Sequence, residues 1–145
     1  MVPLRSPLIP AGVTLLSAPA RFVVDAATLE AGPIGTAAQV AKQVGLRSRF
    51  QLARLLEHEG LPPLHVLVGW ARVIGWIEDW EDRRVALSRQ VLRTGSDPAV
   101  AYRLVRRLTG MRWTAVRSEG SAWARERFLE QLDRQRLTPG ARATA

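Results

Sequence analysis

The sequence predicts an all-α fold of about seven helices, arranged as two helix-turn-helix lobes joined by a long connecting helix. Three observations carry this expectation. Apolar residues recur at the three- and four-residue intervals of a helix face, and no segment alternates apolar with polar residues as a half-buried strand does. Glycines follow the apolar stripes where a left-handed residue would end a helix. The order short helix, Gly turn, capped helix also occurs twice, over 36–60 and 84–110, as two unequal copies of one unit.

Each element has a local reason. Residues 1–18 hold Pro3, Pro7 and Pro10 and read as an irregular lead-in. The first lobe, 19–62, starts with Pro19 in a first helical turn, with Phe22, Val23, Ala26 and Leu29 on one face, and Gly32-Pro33 as the stop. Thr36-Ala37-Ala38-Gln39 is a capping box, in which hydroxyl and side-chain amide satisfy each other's exposed backbone amides. Its helix carries Val40, Ala41 and Val44 and ends at Gly45. Ser48-Arg49-Phe50-Gln51 is a second capping box, launching a helix with Leu52, Leu55 and Leu56 inward that ends before Gly60.

Pro62-Pro63 then opens the connecting helix, 63–82, which runs through Leu64, Leu67, Val68, Ala71, Ile74 and Ile77. It closes on the acidic run Glu78-Asp79-Trp80-Glu81-Asp82, read as solvated. The second lobe, 83–118, has a short helix over Val85, Val91 and Leu92 closed by Gly95. Asp97 caps and Pro98 begins the next helix, with Ala101, Leu104, Val105 and Leu108 inward and Gly110 at its end. A C-terminal helix, 119–137, broken or bent near Gly120, carries Trp123, Phe128, Leu129 and Leu132, and 138–145 reads as a tail.

At 145 residues and 47% hydrophobic, the chain can bury a real core. It has no cysteine, which excludes disulfides and thiolate metal sites. Its apolar runs are broken by Arg, Pro or Gly, and the first 20 residues lack a continuous apolar stretch, so neither a membrane span nor a signal peptide is expected and a cytoplasmic location is. His58 and His65 have no partner set for metal binding or acid–base work, so no cofactor and no enzymatic activity are expected. Trp70, Trp76 and Trp80 suit packing along the connecting helix.

Charge is the most informative global feature. The formal net charge is +8, and between Arg83 and Arg117 nine arginines face the single Asp97, an excess equal to that of the whole chain. A field of that density favours a polyanion, because neutralising phosphates releases condensed counterions.

Two stretches carry a family resemblance: Ala-Lys-Gln-Val-Gly-Leu at 41–46 leading to Leu52-Ala53-Arg54-Leu55-Leu56, and Tyr102-Arg103-Leu104-Val105-Arg106-Arg107-Leu108-Thr109-Gly110. Together they resemble the AraC-type DNA-binding domain over roughly residues 19–120. Departures are an extra residue between Gly45 and Leu52, Gly95-Ser96-Asp97-Pro98 at the start of the second unit, and Trp113 in place of a common proline. The resemblance implies two recognition helices, with Arg117 as the arginine beyond the closing Gly. It implies the stand-alone members without a sensory domain, which bind DNA as monomers and contact RNA polymerase. An alternative class is a degenerate helix-turn-helix module that docks on RNA polymerase or a sensor protein.

The apolar stripes decide which residues face outward. In the first recognition helix these are Phe50, Ala53, Arg54 and Glu57, with Arg49 and Gln51 on the flank. Arg54 suits guanine edges, Gln51 adenine, and Phe50 or Ala53 a thymine methyl. In the second they are Ala99, Tyr102, Arg103 and Arg106, with Pro98 small enough for close approach. Arg103 is the leading candidate for a base contact, and Arg106 and Arg107 are expected on phosphates. Tyr102 suits either a phosphate or the core rim.

Overall fold

A computed structural model describes residues 4–10, 12, 15–29 and 37–136, the side chains of Leu29 and Arg136 excepted. The predicted Gly32-Pro33 stop, the Thr36 cap and the tail from 138 lie outside the described residues. Among those described there are eight helices and no strand: α1 (Ala18–Leu29), α2 (Ala37–Gln43), α3 (Arg49–His58), α4 (Leu64–Arg83), α5 (Leu87–Arg93), α6 (Pro98–Thr109), α7 (Trp113–Glu119) and α8 (Ser121–Arg136). The chain breaks fully at Gly120, whose φ of 95° separates α7 from α8. No helix among the described residues is long and apolar enough to cross a membrane.

The 20-residue α4 is the hub. It packs against α1, α5, α6, α7 and α8, which explains why Leu67, Trp70, Ala71, Val73, Ile74 and Ile77 are all buried on it. A helix covered on most sides needs apolar residues on most sides. Trp70 meets Phe128 of α8 edge to face at 5.9 Å between ring centres, worth about 1 kcal/mol beyond the area buried. At Gly69 an added Cβ would stand 3.0 Å from Leu108 and 3.4 Å from Leu104, so the absent side chain sets the close α4–α6 approach.

The two turns are made alike. Gly45 donates to the Lys42 carbonyl and Leu46 to that of Ala41; Gly95 donates to Leu92 and Ser96 to Val91. This paired closure is the Schellman arrangement, and the glycine φ values of 79° and 74° show why a residue without Cβ stands there. Beyond the turn, Ser48 Oγ accepts from the Gln51 amide at 3.3 Å and Asp97 Oδ1 from the Ala99 amide at 2.9 Å. The Gln51 side chain does not complete the expected box on Ser48; it reaches one residue further and accepts from the Arg47 amide at 2.7 Å.

Three expectations need correction. The lead-in has no helix over its described residues before Ala18, but it is packed: Leu8 and Ile9 are 1% and 0% exposed and join the core cluster. Burying side chains of this size stabilises by about 1.5–3 kcal/mol each. Arg21 secures the segment by donating to the Ile9 carbonyl at 2.6 Å.

The acidic run is not simply solvated. Glu78 is 6% exposed, accepts from the Arg5 amide at 3.2 Å and pairs with Arg125 at 3.3 Å. Arg125 in turn donates to the carbonyls of Ser6 and Pro7. Glu81 accepts from the Ser121 hydroxyl at 2.6 Å and from its amide at 3.2 Å, which satisfies the start of α8. The carboxylates at the end of α4 therefore tie the lead-in and α8 to the hub. The hydrogen bond that Arg5 donates to Asp82 raises the pKa of Arg5 above its ordinary value, with burial opposing and the charges of Glu78, Asp82 and Glu81 adding to it.

Phe22 is the third correction. It is half exposed, and α1 buries Ala20, Val23, Val24, Ala26 and Ala27 instead. Similarly, Leu92 of α5 is exposed while Leu87 and Val91 supply the buried face.

Candidate nucleic-acid interface

Helix α6 is built to present arginines. Ala101, Val105 and Thr109 are buried, Leu104 and Leu108 half buried, and Ala99, Tyr102, Arg103, Arg106 and Arg107 exposed. Pro98, half buried, opens the helix beneath the Asp97 cap, and Gly110 ends it with φ 75° and an amide bond to the Arg106 carbonyl. Thr109 turns inward and donates to the Val105 carbonyl at 2.6 Å. None of Arg103, Arg106 and Arg107 forms an ion pair among the described residues, so their charge is available to a ligand.

Helix α3 is the weaker counterpart. Leu52 and Leu56 are buried and Leu55 half buried, leaving Arg49, Phe50, Gln51, Ala53, Arg54 and Glu57 exposed. The Arg49 guanidinium lies over the Phe50 ring at 5.1 Å, and Phe50 is 64% exposed rather than packed on α2. Gln51 Oε1 is committed to the Arg47 amide, which leaves the side-chain nitrogen as its remaining donor.

The exposed flanks of the two helices meet at one open groove of about 1140 Å³, also lined by α4. Arg49, Phe50 and Ala53 come to it from α3, and Arg103 and Arg107 from α6. Arg54, Gln51, Ala99, Tyr102 and Arg106 lie on the surface outside its lining. The pairing of Arg106 with Arg107 expected from sequence thus separates: Arg107 faces the groove and Arg106 does not.

Arg72 was not singled out from sequence, and it lines the groove from α4 together with His65. Its signal was present: it is the one Arg or Lys between Arg54 and Arg83, seven positions after His65 and so on the same helical flank. Arg117, by contrast, is half buried with its guanidinium 4.2 Å from the centre of the Trp80 ring, where Arg84 also lies at 5.3 Å. Arg83 pairs with Asp79 at 3.3 Å. Three of the nine clustered arginines are thereby spent on packing or pairing.

Among the described residues no group of acidic, His or Cys side chains is placed to hold a metal ion. No protein-family model, no curated protein and no solved structure matches this chain.

Proposed function

We propose that the chain is a sequence-specific transcription regulator of the AraC-type architecture that binds double-stranded DNA, setting α3 and α6 into successive major grooves. The observation that carries this reading is the exposed arginine set on capped helices α3 and α6, Arg54 with Arg103, Arg106 and Arg107, none of which forms an ion pair among the described residues. Successive major grooves on one face lie about 34 Å apart, so the site is asymmetric and on the order of 20 bp for a monomer. The backbone between them would pass over the α4 segment, where Arg72 and His65 lie. Contact with RNA polymerase completes the proposal on the strength of the resemblance, and cytoplasmic action on the apolar runs being broken by Arg, Pro or Gly.

In this reading Arg103 and Arg54 read bases, while Arg106, Arg107 and Arg72 hold phosphates. Selection from a random duplex pool, followed by binding to the selected site across a salt series, tests it. Arg103→Ala is expected to cost about 1–3 kcal/mol and relax one base position, whereas Arg106→Ala weakens all duplexes alike and lowers the salt slope by about one. A pool that yields no enriched sequence would reject sequence-specific reading.

A further inference from the structure

The groove holds apolar surface that phosphate contact does not call for. Phe50 on α3 is 64% exposed and Val100 on α6 is 55% exposed, and both line it. Between them in chain order, Val68 of α4 lines the groove half buried. Three helices therefore bring uncovered apolar side chains to one concave place. Among the described residues that line it the rim is cationic, with Arg49, Arg72, Arg103 and Arg107 against the single acid Glu57.

We propose that this groove is a docking site for an acidic amphipathic helix of a partner protein. The volume of about 1140 Å³ in an open groove exceeds the roughly 300–1,000 Å³ of common small-molecule sites and suits an extended occupant. A helix of about three turns, some 16 Å long, presents apolar side chains at i, i+3 or i+4 and i+7 to Phe50, Val68 and Val100. Carboxylates flanking that stripe meet the four arginines. A second copy of this chain is a poor occupant: α8 interleaves Arg125, Arg127 and Arg134 with its acids, and the carboxylates of α4 already bind Arg5, Arg83, Arg125 and Ser121. Docking does not depend on the DNA reading. One consequence does: a helix seated there covers Phe50 and Arg103, so it and DNA exclude each other.

The test uses the full chain and a fluorescein-labelled 16-residue helical peptide with leucines on one stripe and glutamates beside it. A shuffled peptide of identical composition, with the stripe destroyed, controls for charge. The striped peptide is expected to bind at least tenfold tighter than the shuffled one. Val100→Asn and Val68→Asn should each weaken it fivefold or more without changing binding of the shuffled peptide, with circular dichroism confirming the fold. Equal binding of the two peptides, or no response to either variant, overturns the proposal. Stripe preference in a protein that enriches no DNA sequence keeps the docking site and discards the DNA reading; DNA enrichment without stripe preference does the reverse. With both present, displacement of the selected duplex by the striped peptide establishes mutual exclusion.

Discussion

The two helix-turn-helix units close their turns with the same pair of hydrogen bonds, yet they stand on different supports. In the second, α6 packs against α5, α4 and α7, and Gly69 lets Leu104 and Leu108 come down onto the hub. In the first, α3 packs chiefly against α2, while α1 rather than α3 is the main neighbour of α4 on that side. Charge follows the same division: α6 carries three arginines and no acid, whereas α3 carries Glu57 beside Arg49 and Arg54. The same turn closure thus leads into one firmly held cationic helix and one more lightly held mixed helix. For a two-helix reader this implies that the second unit supplies affinity and the first adapts.

The hub's acidic end should give the largest effect. Glu78→Ala leaves Arg125, buried except for 18% of its side chain, without its carboxylate and frees the Arg5 amide. A loss of about 2–4 kcal/mol in urea unfolding is expected, the lower part of that range because Arg5 reaches solvent. If unfolding stays a single transition, both units depend on the hub; two separated transitions would show them to be independent.

Gly69→Val comes next, at about 1–3 kcal/mol, because its methyls must push Leu108 and Leu104 aside. Hydrogen exchange should then rise in α6 more than in α3. Faster exchange first in α3 would reverse the assignment of supports.

Gly45→Ala and Gly95→Ala examine the turns themselves. Each forces a Cβ into a left-handed backbone, with open space around both positions, so about 1–2 kcal/mol is expected from strain alone. Near-equal shifts in thermal midpoint would establish the turns as equivalent; a twofold difference would break the comparison. Smallest are the caps. Asp97→Ala should cost about 1 kcal/mol and Ser48→Ala somewhat less, since the aspartate bond is shorter and its charge faces the positive end of α6.

Much of the frame was legible beforehand because it is local. The stripes of α3 and α6, their glycine stops and their capping residues involve partners within a few positions, and the exposed set on α6 follows from them directly. Gln51 shows the edge of that legibility: its box was read correctly as a start signal, but which amide its side chain takes depended on the course of the extra residue before the helix. Phe22 failed for a related reason, since periodicity alone cannot tell which of two adjacent apolar flanks finds a neighbour.

What the sequence alone determined was part of the helical alphabet: where α3, α4 and α6 start and stop, and which side of α3 and α6 is apolar, because hydrogen bonds between near neighbours and a 3.6-residue period need nothing else. The tertiary structure alone decided the fate of the polar and Pro-rich parts. Glu78 became a buried clamp because Arg5 and Arg125, 73 and 47 positions away, converge on it, and the same convergence drew Leu8 and Ile9 inward. The meeting of Phe50, Arg72, Val100 and Arg103 at one groove belongs to that second class, since desolvation and charge pairing depend on neighbours that chain order does not reveal.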